Sequence, residues 1–202
     1  MRERLLFAAK EQFAEHGFEG ASARAITDRA GVNSAMLGYH FGSKEHLFKA
    51  VVHDILKDIT ASRLRAFDAL EATWPERVPI ALLIRAYIYP VLDVGGPLER
   101  DVAVYLRIYG RLYTEPSDVV AHIILNHFTD ISNTFVAYIH KSLGLAENKP
   151  VILFRHQMMM GAMGMVGMLM RTPDIRYTEF VKREGAIDRF CQDWATIFAQ
   201  PE

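Results

Sequence analysis

The sequence has a single cysteine, Cys191, so no disulfide can form within one chain. A reducing, cytoplasmic setting is therefore the expectation. It has almost no charge excess, with a formal net charge of −1, which excludes a uniformly basic nucleic-acid binder. Any nucleic-acid contact has to come from a local patch. It also lacks an apolar run long enough to span a bilayer: the most apolar stretch, 158–170, lies between Arg155, His156 and Arg171. Arg2, Glu3, Arg4 and Lys10 interrupt the start, so no secretory leader is expected, and no membrane partner either. Strand signals are nearly missing, with no sustained apolar–polar alternation and no Asn-Gly turn. There is no phosphate-cradling glycine loop, no nucleophile elbow and no triad pattern, so the chain does not read as an enzyme. The histidines at 53, 122, 127, 140 and 156 are scattered, and no carboxylate–histidine metal spacing occurs. Neither a metal nor another cofactor is expected.

What remains is helical periodicity over a chain of 202 residues, half of them apolar, which is enough for a small head and a larger body. The pattern predicts an all-α fold of about nine helices. The first covers 2–16, with Leu6, Ala9 and Phe13 inward and Gly17 as its stop. The second begins at Ser22, a good N-cap, and buries Ile26 and Ala30. Gly31 turns the chain into a short third helix over 34–41. A long fourth helix follows Ser43 and sends Leu47, Val51, Ile55 and Ile59 inward. Further helices are expected over 76–92, 98–113, 115–143, 151–171 and 177–198, separated by glycine- or proline-bearing breaks. The expected division is an N-terminal three-helix head, 1–45, and a helical body, 46–202.

Two short helices joined by a tight glycine turn make a helix-turn-helix. On the third helix Leu37 and Phe41 are four apart and share a face; with Val32 and Ile26 they would anchor it to the head. The opposite face holds Ser34, Ala35, Gly38 and Tyr39, three of them tiny. Small side chains let a helix sit deep in the major groove of DNA. Ala35 suits a thymine methyl, Ser34 a base edge or phosphate, and Tyr39 a phosphate. Asn33 reads as the N-cap. Lys44, at a helix start where free N–H groups already favour an anion, suits another phosphate. The plainer alternative is an ordinary helix pair of an all-α protein, with Tyr39, His40 and Lys44 as solvated surface residues.

The string in order decides between them. FAEHGFEG ends the first helix, and ASARAITDRAGVNSAMLGYHFGSKEHLFKAV follows. The AGV turn, the YHF ending and the SK start of helix four are in register with the DNA-binding head of the TetR family of bacterial transcription regulators, which residues 1–52 resemble. The resemblance implies an all-helical homodimer, a recognition unit bound to a double-stranded DNA operator, and a ligand-controlled body. It places Ser22, Arg24, Asn33, Ser34, Ala35, Tyr39, His40 and Lys44 toward DNA. Gly38 stands where many members have a tyrosine, and Ala21 where threonine is frequent.

In the body, HQMMMGAMGMVGMLM (156–170) spaces Gly161, Gly164 and Gly167 every three residues among adaptable methionines. It reads as core filling, a dimer seam or a deformable pocket wall. The last helix presents Ile187, Cys191, Trp194 and Phe198 at heptad-like spacing. By the resemblance the last two long helices pair with their copies, which places Gly161, Gly164, Met168, Ile187, Cys191, Trp194 and Phe198 at the dimer interface. Tyr105 and Tyr109 form an aromatic stripe on the 98–113 helix. Arg111 reads either as an ion-pair partner of Glu115 or as the anchor of an acidic ligand. GRLYTEP and HFTDISNTF look similar to a TetR subgroup tied to fatty-acid metabolism. With Phe128 and Met163 as wall, the expected effector is a small apolar or aromatic molecule such as a fatty acid or acyl thioester. The expected function is thus a ligand-responsive repressor released from a palindromic operator. A helical lipid carrier or enzyme-like protein that keeps the head as a fold element is the alternative.

Overall fold

The computed structural model describes residues 1–92, 104, 107–108, 117–145, 150–169 and 185–201, with all of their side chains except those at 92, 124, 125, 127, 128 and 166–169. Eight helices and no strand occur among the described residues: α1 (Arg2–Gly20), α2 (Ala23–Ala30), α3 (Ala35–Phe41), α4 (Lys44–Thr73), α5 (Ile80–Leu92), α6 (Asp118–Leu143), α7 (Pro150–Leu169) and α8 (Ala186–Ala199). The chain divides into two compact units. One holds Met1–Asp58 and the described part of 99–127; the other holds the described part of Ile59–Leu98 and of 128–202. Both α4 and α6 contribute residues to each unit.

The first unit is built on the apolar stripe the periodicity marks. Leu5, Ala9 and Phe13 of α1, Ile26 of α2, and Leu47, Val51 and Ile55 of α4 are all buried. Phe13 and Phe48 meet edge-on at 5.0 Å between ring centres, and Phe18 meets Phe48 at 5.2 Å. Gly17 ends the regular part of α1 as expected: its φ of 73° and ψ of −179° break the helix before one last turn. Charge pairs fasten the edges of this core. Arg29 reaches Glu11 at 2.6 Å and Glu15 at 3.2 Å, and Lys10 reaches Asp54 at 2.9 Å.

In the second unit, α5 starts at Ile80, four residues later than the sequence pattern suggests. Pro79 explains the delay. Pro79 disfavours a helical Val78 before it, and its own carbonyl then accepts from the Leu82 and Leu83 N–H groups (2.9 and 3.2 Å) at the mouth of the helix. The core gathers Phe67, Tyr87, Phe135, Ile139, Ile152, Met159 and Phe198, all nearly or wholly inaccessible. Tyr87 and Phe135 pack at 4.6 Å between ring centres. At the edge, Glu71 accepts from Tyr138 Oη (2.8 Å) and from Lys141 Nζ. Burial and that hydrogen bond push the Tyr138 phenol up to about 12. Arg85 pairs with Asp188, joining α5 to α8. Arg63 of α4 is fully buried in the same unit.

Candidate nucleic-acid interface

The recognition unit is set by local chemistry. Ser22 caps α2: its Oγ accepts from Ala25 N–H at 3.0 Å. Gly31 closes α2 in the left-handed region (φ 62°, ψ 43°), so that its N–H reaches Asp28 O and the Val32 N–H reaches Thr27 O, both at 3.0 Å. Only glycine adopts that geometry without strain. Arg4 braces the turn by donating from Nη2 to Gly31 O at 3.3 Å. Asn33 then caps α3, its Oδ1 accepting from Ala35 N–H at 2.8 Å. Leu37, 5% exposed, anchors α3 to Ile26 and the core, whereas Val32 and Phe41 are only half-buried. Phe41 instead lies under the Arg2 guanidinium, 5.0 Å from its ring centre.

On the other side of α3, Asn33, Ser34, Ala35, Gly38 and Tyr39 are all exposed, Tyr39 by 80%. The Tyr39 and His40 rings meet edge-on at 5.0 Å, and His40 is half-buried. Ser22 and Arg24 are exposed at the start of α2. Arg24 approaches Asp28 at 3.7 Å across one helical turn. A Cβ added at Gly38 would meet nothing within 4 Å. No fold requirement therefore calls for glycine there, in contrast to Gly31, where a Cβ would come within 2.7 Å of Arg4 Nη2.

Lys44 has a role that the pattern did not reveal. Its Nζ donates to Phe18 O at 2.9 Å and to Ala21 O at 3.3 Å, and lies 4.5 Å from the Phe18 ring centre. Two of its three donors thus clamp α4 to the end of α1, leaving one for a phosphate. Ser43 caps α4 by accepting from His46 N–H at 3.1 Å.

The N-terminal model of the bacterial regulatory proteins, tetR family, matches residues 5–51, and the tetracyclin repressor-like C-terminal domain matches residues 85–199. The chain belongs to the TetR family. Among characterised members, a TetR relative named transcriptional regulatory protein RaaS, from Mycobacterium tuberculosis, is 36% identical over 101 residues, 48% of this chain and 47% of that one. The transcriptional activator FasR of Mycolicibacterium smegmatis is 29% identical over 122 residues, 60% of this chain and 51% of that one. The chain spans about half the length of these relatives. The fatty acid degradation regulator FadR of Bacillus halodurans superposes with a TM-score of 0.61 at 13% identity, covering 98% of this chain and 94% of that one, and so shares the TetR fold. Among the described residues no helix is long and apolar enough to cross a membrane.

The body residues expected from TetR pairing and pocket formation fall in different places. Tyr105, Tyr109 and Arg111 lie outside the described residues, as do the side chains of Phe128 and Met168. Met163 and Gly164 are buried and Gly161 is half-buried on α7. On α8, Ile187 and Trp194 are half-buried. Cys191 and Phe198, expected at the seam, are buried within their own chain. They are 2% and 0% exposed there, and Phe198 packs 5.9 Å from Phe135. Burial pushes the Cys191 thiol up to about 11. Heptad-like spacing located an apolar stripe but not which neighbour it faces. Exposed apolar side chains on α7 are Leu153, Phe154, Met158 and Met165. Met158 and Met165 belong to the methionine-rich stretch; Phe154 and Met158, four apart, share a helix face.

Proposed function

We propose that this TetR protein binds a palindromic operator as a homodimer and acts as a repressor released by a small apolar effector held in the body. The observation that carries the DNA-binding part is the exposed face of Ser34, Ala35 and Gly38, with a central glycine that nothing inside the fold requires. Such a face lets the α3 backbone approach base edges, with Ser22, Arg24 and Tyr39 placed for phosphates. Among the described residues, the exposed α7 stripe around Phe154 and Met158 supports α7 as part of the pairing surface, alongside the half-buried Trp194 of α8.

The effector class is supported by the apolar body and by the shared fold of a neighbour named for fatty acid degradation. Control then follows from connectivity. α4 begins two residues after α3 and continues to Thr73, so a ligand that favours one placement of α4 biases the recognition helices. Two half-sites are one turn of DNA apart, about 34 Å, and a shift of a few ångströms prevents both from docking.

Ala35→Glu tests the reading. The carboxylate would meet base edges and phosphates, so specific operator affinity should fall at least a hundredfold while helicity and dimerisation persist. Fluorescence anisotropy with a labelled palindromic duplex measures this. An affinity within twofold of the parent would remove α3 as the reading helix.

A further inference from the structure

We propose that Arg63, Tyr87 and His156 form the head-group seat for a carboxylate ligand with an apolar body, a site built from α4, α5 and α7. It deepens the effector-binding reading above and rests on it. Among the described residues, four buried side-chain atoms have no hydrogen-bond partner: Arg63 Nη1, Tyr87 Oη, and Nδ1 and Nε2 of His156. All four belong to one cluster. The Arg63 guanidinium lies 4.2 Å from the Tyr87 ring centre, and the Tyr87 and His156 rings are 5.3 Å apart. Buried polar groups are nearly always satisfied, and each exception calls for a reason.

Charge narrows the ligand. Arginine keeps its proton in proteins, and Arg63 is 1% exposed. Its Nε donates to the Tyr87 carbonyl at 2.6 Å, a neutral acceptor. Among the described residues no carboxylate pairs with it; Glu71, two turns further along α4, is taken by Lys141 and Tyr138. A water molecule would satisfy the open hydrogen bonds but would leave the charge unpaired. A ligand carboxylate does both. One oxygen accepts from Arg63 Nη1, and the phenol of Tyr87 and one ring N–H of His156 serve the remaining lone pairs. Burial, with the Arg63 charge adding to it, lowers the His156 pKa to about 4, so at neutral pH the ring is uncharged and carries a single N–H.

The surroundings describe the rest of the ligand. Phe67 stacks 6.5 Å from the Tyr87 ring, the His156 ring is 5.3 Å from that of Phe135, and Phe198 packs behind Phe135 at 5.9 Å. His156, Met159, Met160 and Met163 follow at one-face helical spacing on α7, and all are buried. Thioether chains repack readily, so this face yields to an apolar chain without disturbing the backbone. Arg63 stands on α4, nineteen residues beyond Lys44 on one helix. A ligand that draws the guanidinium away from the Tyr87 carbonyl therefore acts on the helix that leads back to α3.

The test is calorimetric titration of the full chain with octanoate, dodecanoate and 4-phenylbutanoate, each beside its matching alcohol. At least one carboxylate should bind ten or more times tighter than its alcohol. Arg63→Met should erase that preference, whereas Arg111→Met should retain it. His156→Phe and Tyr87→Phe remove only unpartnered atoms. They should weaken the carboxylate severalfold while melting temperature stays level or rises, a combination that a purely structural role would not give. If Arg63→Met does not fold, Arg63→Lys and His156→Phe carry the measurement. Absence of binding by all three acids overturns the proposal, as does equal affinity for acid and alcohol, or a preference that survives at Arg63→Met. Operator binding is read separately. Carboxylate binding through Arg63 without operator release upholds the seat and sinks the control mechanism.

Discussion

Gly38→Ala separates what the fold needs from what DNA needs. Gly38 is the central residue of the seven in α3, in ordinary helical conformation, and a Cβ there enters open space. Alanine in place of glycine inside a helix is favourable by about 1 kcal/mol. No steric term opposes the gain, because nothing lies within 4 Å. In a chain of this size about 1 kcal/mol corresponds to a rise of roughly 2–4 °C in melting temperature. The same methyl would stand on the face proposed to enter the groove. If backbone approach there is close, operator affinity should fall about tenfold, equivalent to about 1.4 kcal/mol. Stability and affinity should thus move in opposite directions. Gly31→Ala supplies the contrast: a left-handed φ and a Cβ 2.7 Å from Arg4 Nη2 make it destabilising. Thermal denaturation followed by circular dichroism, with anisotropy on the operator duplex, reads both quantities. A Gly38→Ala protein that is more stable and binds operator within twofold of the parent would refute the groove assignment of this glycine. A less stable one would refute the open-space geometry.

Lys44→Met removes two hydrogen bonds from a charged donor and the Phe18 ring contact, and should destabilise the head by about 2 kcal/mol in urea titration; a loss under about 0.5 kcal/mol would argue against the clamp. Phe154→Asp with Met158→Asp should give monomers by sedimentation velocity, and an intact dimer would place the seam off the exposed α7 stripe. Asp54 is opposed by burial but held below its ordinary value of 3.8 by hydrogen bonds and charge from Lys57 and Lys10. A depressed carboxyl stabilises above its unfolded pKa and loses that contribution as pH falls through the folded one. Stability of the parent should therefore drop more steeply below about pH 4 than that of Asp54→Asn, and parallel acid profiles would remove Asp54 from the account.

The head was legible because its signals are local. Gly17, Ser22, Gly31 and Asn33 each act within a turn of their own position, so their residue types announce the breaks and caps. The body depended on partners distant in sequence. Cys191 and Phe198 show an apolar spacing that fits a copy or the chain's own core equally well; within the chain both are buried, and Phe198 packs on Phe135. Pro79 sets the start of α5 at Ile80, four residues beyond the expected 76. Arg63 lies in the polar run TASRLR, which carries no expectation of burial. Yet it continues the buried stripe Leu56, Ile59 and Phe67, and a charge on a core stripe was the readable sign. His156 reads as one of the scattered histidines, because a single histidine carries no signal until a neighbour such as Arg63 is placed beside it.

The Lys44 clamp has a consequence for how genes would be sorted. It ties the first residue of α4 to the carbonyls of Phe18 and Ala21, directly before the Ser22 cap of α2. Any rotation of α4 at that end carries the end of α1 and the start of α2 along with it, so the reading surface moves as one piece. An effector acting through α4 would then change how often a site is occupied without changing which bases are preferred. Strong and weak operators would keep their rank order at every effector level, and promoters would respond in a graded sequence set by their own affinities.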